Sequence, residues 1–225
     1  MVISYPHGGG GGYALGQPLL ETPNSLFIAE CLAIEGLTTA IFAPRYNLMP
    51  EGHFPQQVDD VAFAYKWLVQ DLGVLPSRIA LIGESAGEHL ALSFLLDHHL
   101  KTAQHDPLAA RSMKPAGAFL VSPWCDLHNS DSKATNLRPG EVAFKRLLTI
   151  WGDFVTSDYD TQQLEMFLNS AQRNDRGGLW RDIIPSRTWI LAGEDEVTFV
   201  HDIVDFVNAA RDDGANVTLE IKPGG

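Results

Sequence analysis

The stretch that most constrains this chain is Gly83-Glu84-Ser85-Ala86-Gly87, set between a continuously apolar run, Ile79-Ala80-Leu81-Ile82, and the helical pattern of Ala86 to Leu96. A G-x-S-x-G at a strand-to-helix junction dictates a sharp turn. Its glycines make room for crowded backbone, and its serine oxygen is held out at the C-terminal edge of a sheet. The helix that follows points its N-terminus at Ser85, so the macrodipole and the Ala86 N–H are placed to meet a negative charge developing there. A bare Gly/Ser turn has the same five letters; the strand before it and the helix after it separate the two readings.

The rest of the chain fits a sheet of that kind. Short β-rich apolar runs alternate with helical periods, the pattern of an α/β fold with a mainly parallel sheet and helices on both faces. About six strands are predicted: Val2 to Tyr5, Leu37 to Ala43, Arg78 to Ile82, Ala116 to Ser122, Thr188 to Ala192 and Val217 to Ile221. The third and fifth are continuously apolar, which predicts burial on both faces. The sixth alternates apolar and polar residues, which suits an edge strand with one wet face. Val58, Val61, Ala62, Tyr65 and Leu68 predict a surface helix ending near Asp71, and Val197, Val200, Val204 and Val207 predict another that stops at Gly214. Residues 124–186 show helix and loop without a clear strand, longer than an ordinary connection, and read as a helical cap inserted into a single domain covering 1–225.

Charge narrows the partners. With 16 Lys+Arg against 28 Asp+Glu, a net charge of −12 and no basic run, the chain lacks the basic face that nucleic acid or an anionic membrane requires. A small neutral or apolar ligand remains. No stretch approaches the roughly 20 apolar residues of a membrane span, and Met1-Val2-Ile3-Ser4-Tyr5 lacks the basic start of a secretory leader, so a soluble, cytoplasmic protein is expected. Cys31 and Cys125 stand far apart and outside any CxxC spacing, which predicts two buried free thiols and neither a disulfide framework nor a zinc site. No HExxH or comparable metal-ligand spacing occurs, and no cofactor is expected.

A second chemical signal is His7-Gly8-Gly9-Gly10-Gly11-Gly12-Tyr13, directly after the first strand. Consecutive glycines let backbone N–H groups approach a ligand closely, so such a loop can supply oxyanion donors. A phosphate cradle is the rival, but the run lacks the Rossmann glycine spacing, and Gln17-Pro18 stands where a Walker motif needs Lys and Ser/Thr. After the fifth strand, Glu194, Asp195 and Glu196 follow Ala192-Gly193 and are candidates for an acid that orients an imidazole.

These residues, together with Tyr46-Asn47-Leu48-Met49-Pro50-Glu51, Phe54-Pro55, Asp60, Trp67-Leu68 and Ser77-Arg78-Ile79, resemble in order and spacing the hormone-sensitive-lipase-like branch of the α/β-hydrolases, above all its esterase, lipase and deacetylase members. The resemblance covers most of the chain. It implies an α/β-hydrolase fold and a serine hydrolase acting on small apolar carboxylic esters. Ser85 would be the nucleophile, and the N–H groups of Gly9, Gly10 and Ala86 the oxyanion hole. The family spacing selects Glu196 as the acid, with Asp195 second, and the cap residues Trp124, Phe144, Leu147, Trp151 and Phe154 would supply apolar walls. Three departures stand out. Two extra glycines make Gly11 and Gly12 alternative donors, Asn47 replaces the usual Arg, and Glu88 replaces a glycine, where it is expected to crowd the glycine loop or repel an oxyanion.

The general base has no candidate. In the chain order Ser, acid, His it belongs after the sixth strand, where the sequence reads Lys222-Pro223-Gly224-Gly225. Only His201 follows Glu196, and five residues along a helix turn it about 140° away, onto the surface. His7 belongs to the glycine loop, while His53, His89, His98, His99, His105 and His128 read as structural or surface residues. The triad histidine is therefore expected outside this chain. Relative to the family the chain reads as truncated at both ends, with its six strands in the order 2-1-3-4-5-6 and only marginal stability. Two alternatives stay open. One is a hydrolase fold that binds a small ligand without chemistry, as in the gibberellin receptors that resemble this family and lack the histidine. The other is an amidase or formamidase on the same machinery.

Overall fold

The computed structural model describes residues 1–8, 13, 16–103, 105–106, 113–127, 137, 139–157, 161–170, 178–196 and 198–224. Its centre is a six-stranded sheet of β1 (Val2–Ser4), β2 (Ala40–Phe42), β3 (Ile79–Glu84), β4 (Gly117–Val121), β5 (Thr188–Gly193) and β6 (Val217–Lys222). All pairings are parallel, in the order β2-β1-β3-β4-β5-β6. Each predicted strand is present, the second shortened to its last apolar residues. β6 lies at one edge, as its alternation requires.

In-register neighbours share a face of the sheet, and the two faces differ. Ile79, Leu81, Leu120 and Ile190 are fully buried on one. On the other, Ile82 pairs with Phe119 and Phe119 with Trp189; the first two are half-buried and Trp189 is 46% exposed. The expectation that the third and fifth strands are buried on both faces is thus corrected. Helices α2 (Gln56–Lys66), α3 (Ala86–Ala103), α6 (Trp180–Ile183) and α7 (Val200–Asp212) pack against one another as a layer, with α3 on β3 and α7 on β5 and β6. α1 (Thr22–Ile34) contacts β2. One continuous helical layer seals the first face, and the second is covered only in part among the described residues.

α2 follows its predicted stripe, with Val58, Val61 and Tyr65 buried. It runs on through a π-helical turn, Trp67–Asp71, that ends at the predicted residue. The widened turn keeps Leu68 inside and lets Trp67 stack on Phe42 at 5.8 Å. α7 also forms, but its buried face is Ile203, Phe206, Val207 and Ala210. Val200 and Val204 are only half-buried, so the core-facing stripe is rotated from the valine repeat, and Val197 lies outside the described residues. Gly214 closes the helix at φ +80°, with its N–H on the Arg211 carbonyl and the Ala215 N–H on that of Ala210.

The inserted segment holds α4 (Pro139–Thr156), α5 (Thr161–Leu168) and α6, tied to the strand ends by one antiparallel bridge, Asp126 to Asn169. Cys125 is buried as expected, whereas Cys31 is exposed because α1 leaves nearly its whole surface open. No helix among the described residues is long and apolar enough to cross a membrane.

Candidate active site

Ser85 sits at the junction of β3 and α3 with φ +55°, a left-handed conformation that costs an L-residue about 1–2 kcal/mol. Backbone bonds hold it there. The Ser85 N–H donates to the Val121 carbonyl at 3.0 Å, and the Ser85 carbonyl accepts N–H groups from Glu88, His89 and Trp124 at 3.1 to 3.2 Å. A strained residue persists only where its surroundings over-determine it, as these four bonds do. A Cβ on Gly87 would collide with the Pro6 carbonyl, and one on Gly8 with the Glu84 carbonyl. The elbow and the start of the glycine loop therefore pack backbone to backbone, and only glycine fits at the contact.

Ala86 is the first residue of α3, where helical N–H groups have no partner within the helix. Gly9 and Gly10, with the alternatives Gly11 and Gly12, lie outside the described residues. Ser85, Asp195 and Glu196 line one cleft of about 390 Å³, together with Glu84, Ser122 and Phe144. Parallel strands in the order β3-β4-β5 bring all their C-terminal ends to one edge, so residues more than a hundred positions apart meet without a long excursion of the chain.

Glu196 opens the turn into α7, its carbonyl accepting the N–H groups of Phe199 and Val200. Its carboxylate takes the Ser122 hydroxyl on Oε1 at 2.7 Å. Among the described residues Oε2 is buried without a hydrogen-bond partner. Asp195 is exposed. Of the expected apolar walls, Phe144 lines the cleft and makes an edge contact with Phe199 at 5.9 Å between ring centres. Trp124 is buried in the core, and Leu147 and Phe154 are exposed; neither they nor Trp151 line the cleft.

No histidine lines this cleft among the described residues. His201 is exposed, as expected of a surface helix position. His7 stacks on the Tyr46 ring at 4.3 Å, and the Tyr46 hydroxyl donates to the His7 carbonyl at 2.6 Å. Burial holds its imidazole below the ordinary value. His89 is fully buried and bonded at both nitrogens, to the Tyr13 hydroxyl at 2.5 Å and the Phe167 carbonyl at 2.6 Å. Because a carbonyl only accepts, Nε2 carries the proton and Nδ1 accepts from Tyr13. Burial lowers His89 to about 4, opposed by the Phe167 bond, so the ring is a neutral strut between glycine loop, elbow helix and insertion. His128 lies outside the described residues.

Glu88 does not line the cleft, and Gly9 to Gly12, which it was expected to crowd, lie outside the described residues. Its carboxyl is fully buried against Gly83 rather than aimed into the cleft. Burial pushes it well above the ordinary carboxylate range, offset in part by the backbone N–H groups of Val121 and Gly83, and raised further by Glu84. Glu84 is also raised, by burial and by its neighbours Glu21 and Glu196. Among the described residues no three metal-ligating side chains gather.

Sequence reasoning missed two contributors, Ser122 and the Tyr13–His89 pair. Ser122 had a usable signal: it is the polar residue ending the strand that lies between those of Ser85 and Glu196.

A parallel sheet with this strand order and a strained serine at the β3–α3 turn is the architecture of an α/β hydrolase. The family model described as the alpha/beta hydrolase fold matches residues 3–225, and the chain belongs to that family. It is 33% identical over 140 residues to an acetyl-hydrolase of Streptomyces hygroscopicus, covering 62% of this chain and 41% of that protein. Arylacetamide deacetylase of Rattus norvegicus is 24% identical over 191 residues, covering 79% and 45%. An esterase/lipase from an uncultured bacterium superposes with a TM-score of 0.72 at 26% identity, over 99% of this chain and 66% of the other. The chain thus spans less than half the length of these two curated relatives.

Proposed function

We propose that this protein hydrolyses small neutral carboxylic esters through Ser85. The observation that carries the reading is the left-handed Ser85 at the mouth of α3, sharing a cleft with Glu196. In it, Ser85 Oγ attacks the acyl carbon while its proton passes to an imidazole, and Glu196 orients that imidazole. The carbonyl oxygen gathers charge against the Ala86 N–H and the N–H groups of Gly9 and Gly10. Collapse expels the alcohol, which takes the proton back from the imidazole, and water repeats the sequence to release the acid. No histidine among the described residues lines the cleft, so in this reading the imidazole belongs to a residue outside those described. Ester-hydrolysing relatives support the substrate class, and the modest cleft volume supports a short acyl group.

One observation favours a second reading, a fold that binds a small apolar ligand without chemistry: no histidine lines the cleft among the described residues. Hydrolysis of p-nitrophenyl butyrate by the protein and by Ser85→Ala, with circular dichroism showing both folded, separates the two. Turnover lost in the variant supports the hydrolase. Equal inertness of two folded proteins overturns it for this chain and leaves ligand binding.

A further inference from the structure

β4 lies between β3 and β5, so the residue after β4 stands between the one that follows β3 and those that follow β5. That residue is Ser122. Its N–H donates to the Leu191 carbonyl at 2.8 Å, fastening it to β5, and its hydroxyl donates to Glu196 Oε1 at 2.7 Å. From this geometry we infer that Ser122 is a positioning residue: it tethers one oxygen of Glu196 and leaves Oε2 for the imidazole. The inference rests on the ester-hydrolase reading above.

Three further observations converge on that role. Oε2 is buried with no hydrogen-bond partner among the described residues, so there the tether occupies only one of the two oxygens. A glutamate has one more rotatable bond than an aspartate and loses more side-chain freedom when held still, so a fixed donor is worth more to it. Ser122 also adopts φ +49°, where glycine would sit without strain. A serine kept in such a conformation beside a reactive residue marks strain placed at a functional site. Ser85 is the other non-glycine residue with positive φ among those described, and both line the same cleft.

The conformation also separates function from stability. Ser122→Gly removes the hydroxyl but relieves the backbone, whereas Ser122→Thr keeps a hydroxyl and adds strain through its branched Cβ. Serine-dependent hydrolysis of p-nitrophenyl butyrate, thermal melts and crystal structures of the protein and both variants form the test. Expected for S122G are a kcat lower by about tenfold or more with KM little changed, and a Tm equal or higher by about 2–4 °C. Its Glu196 carboxylate should leave the observed position. S122T should recover most of the lost kcat at a lower Tm. A merely structural role would make kcat follow Tm, and that pattern overturns the inference. If Ser85→Ala hydrolyses as fast as the unmodified protein, the hydrolase reading falls instead. The crystal structure of S122G then decides the tether alone: displacement of Glu196 supports it, and an unmoved carboxylate overturns it.

Discussion

Helices α1 and α3 are both rich in apolar residues, and neither concentrates them on one side, yet their fates are opposite. Every residue of α3 from Ala86 to Leu96 is buried. In α1 only Ser25 is buried, while Leu26, Phe27 and Ile34 are 64%, 67% and 78% exposed. A helix apolar all round belongs inside a protein. α3 achieves this because β3, α2 and α6 surround it; α1 meets chiefly β2. Composition sets how much surface a helix should bury, and the neighbours decide whether it does.

The contrast breaks most sharply under truncation of side chains. Phe94→Ala in α3, at full burial, is expected to lose about 3–5 kcal/mol in urea unfolding, a large share of a domain's roughly 5–15 kcal/mol. Phe27→Ala in α1 is expected to stay within about 0.5 kcal/mol. Equal losses would mean that α1 is covered in solution.

Acid titration sharpens the contrast next. His89 on α3 is lowered to about 4 from 6.5 by burial. The unfolded chain therefore binds a proton there that the folded protein refuses. Stability present above pH 6.5 is lost as the pH falls toward 4, by about 3 kcal/mol in all. Urea midpoints across that range should show the slope, and His89→Gln should flatten it. Glu88 has the opposite sign: its folded value is raised, so stability declines as the pH climbs above the ordinary carboxylate range. Glu88→Gln is expected to be the more stable form at pH 8 while matching the parent near pH 4, and a deficit at pH 8 would show that the ionised carboxylate is needed. The smallest energetic effect belongs to Leu26→Gln in α1, within about 0.5 kcal/mol of the parent. It is expected to raise the concentration at which light scattering detects association, because it removes exposed apolar surface.

Much of this was legible in the letters. The strands and the elbow follow from runs such as Ile79 to Ile82 and Trp189 to Ala192 punctuated by glycine, whereas the strand order and the choice of Glu196 came from the resemblance to the hydrolase family. α1 had no periodic stripe to reveal it. The valine repeat of α7 misplaced the buried face because Ile203 and Phe206, one turn round, bury more surface than Val200 or Val204. The raised Glu88 carboxyl was hidden for a different reason. Sequence gives charge at neutral pH, whereas a site without water sets its own protonation state. Ser122 was within reach of the same reasoning, as the polar residue ending the strand between those of Ser85 and Glu196, but its bond to Glu196 appears only in the structure.

The position of β1 carries a consequence for how the molecule assembles. β1 occupies the interior of the sheet, with Val2 opposite both Ala40 and Ile79. β1 must therefore wait for its β3 partner, synthesised long after it, and contacts of such sequence separation slow folding. Until residue 79 and its neighbours emerge, Ile3 has no sheet to enter on its β3 side, and the nascent chain carries an unpaired strand whose protection depends on the speed of synthesis.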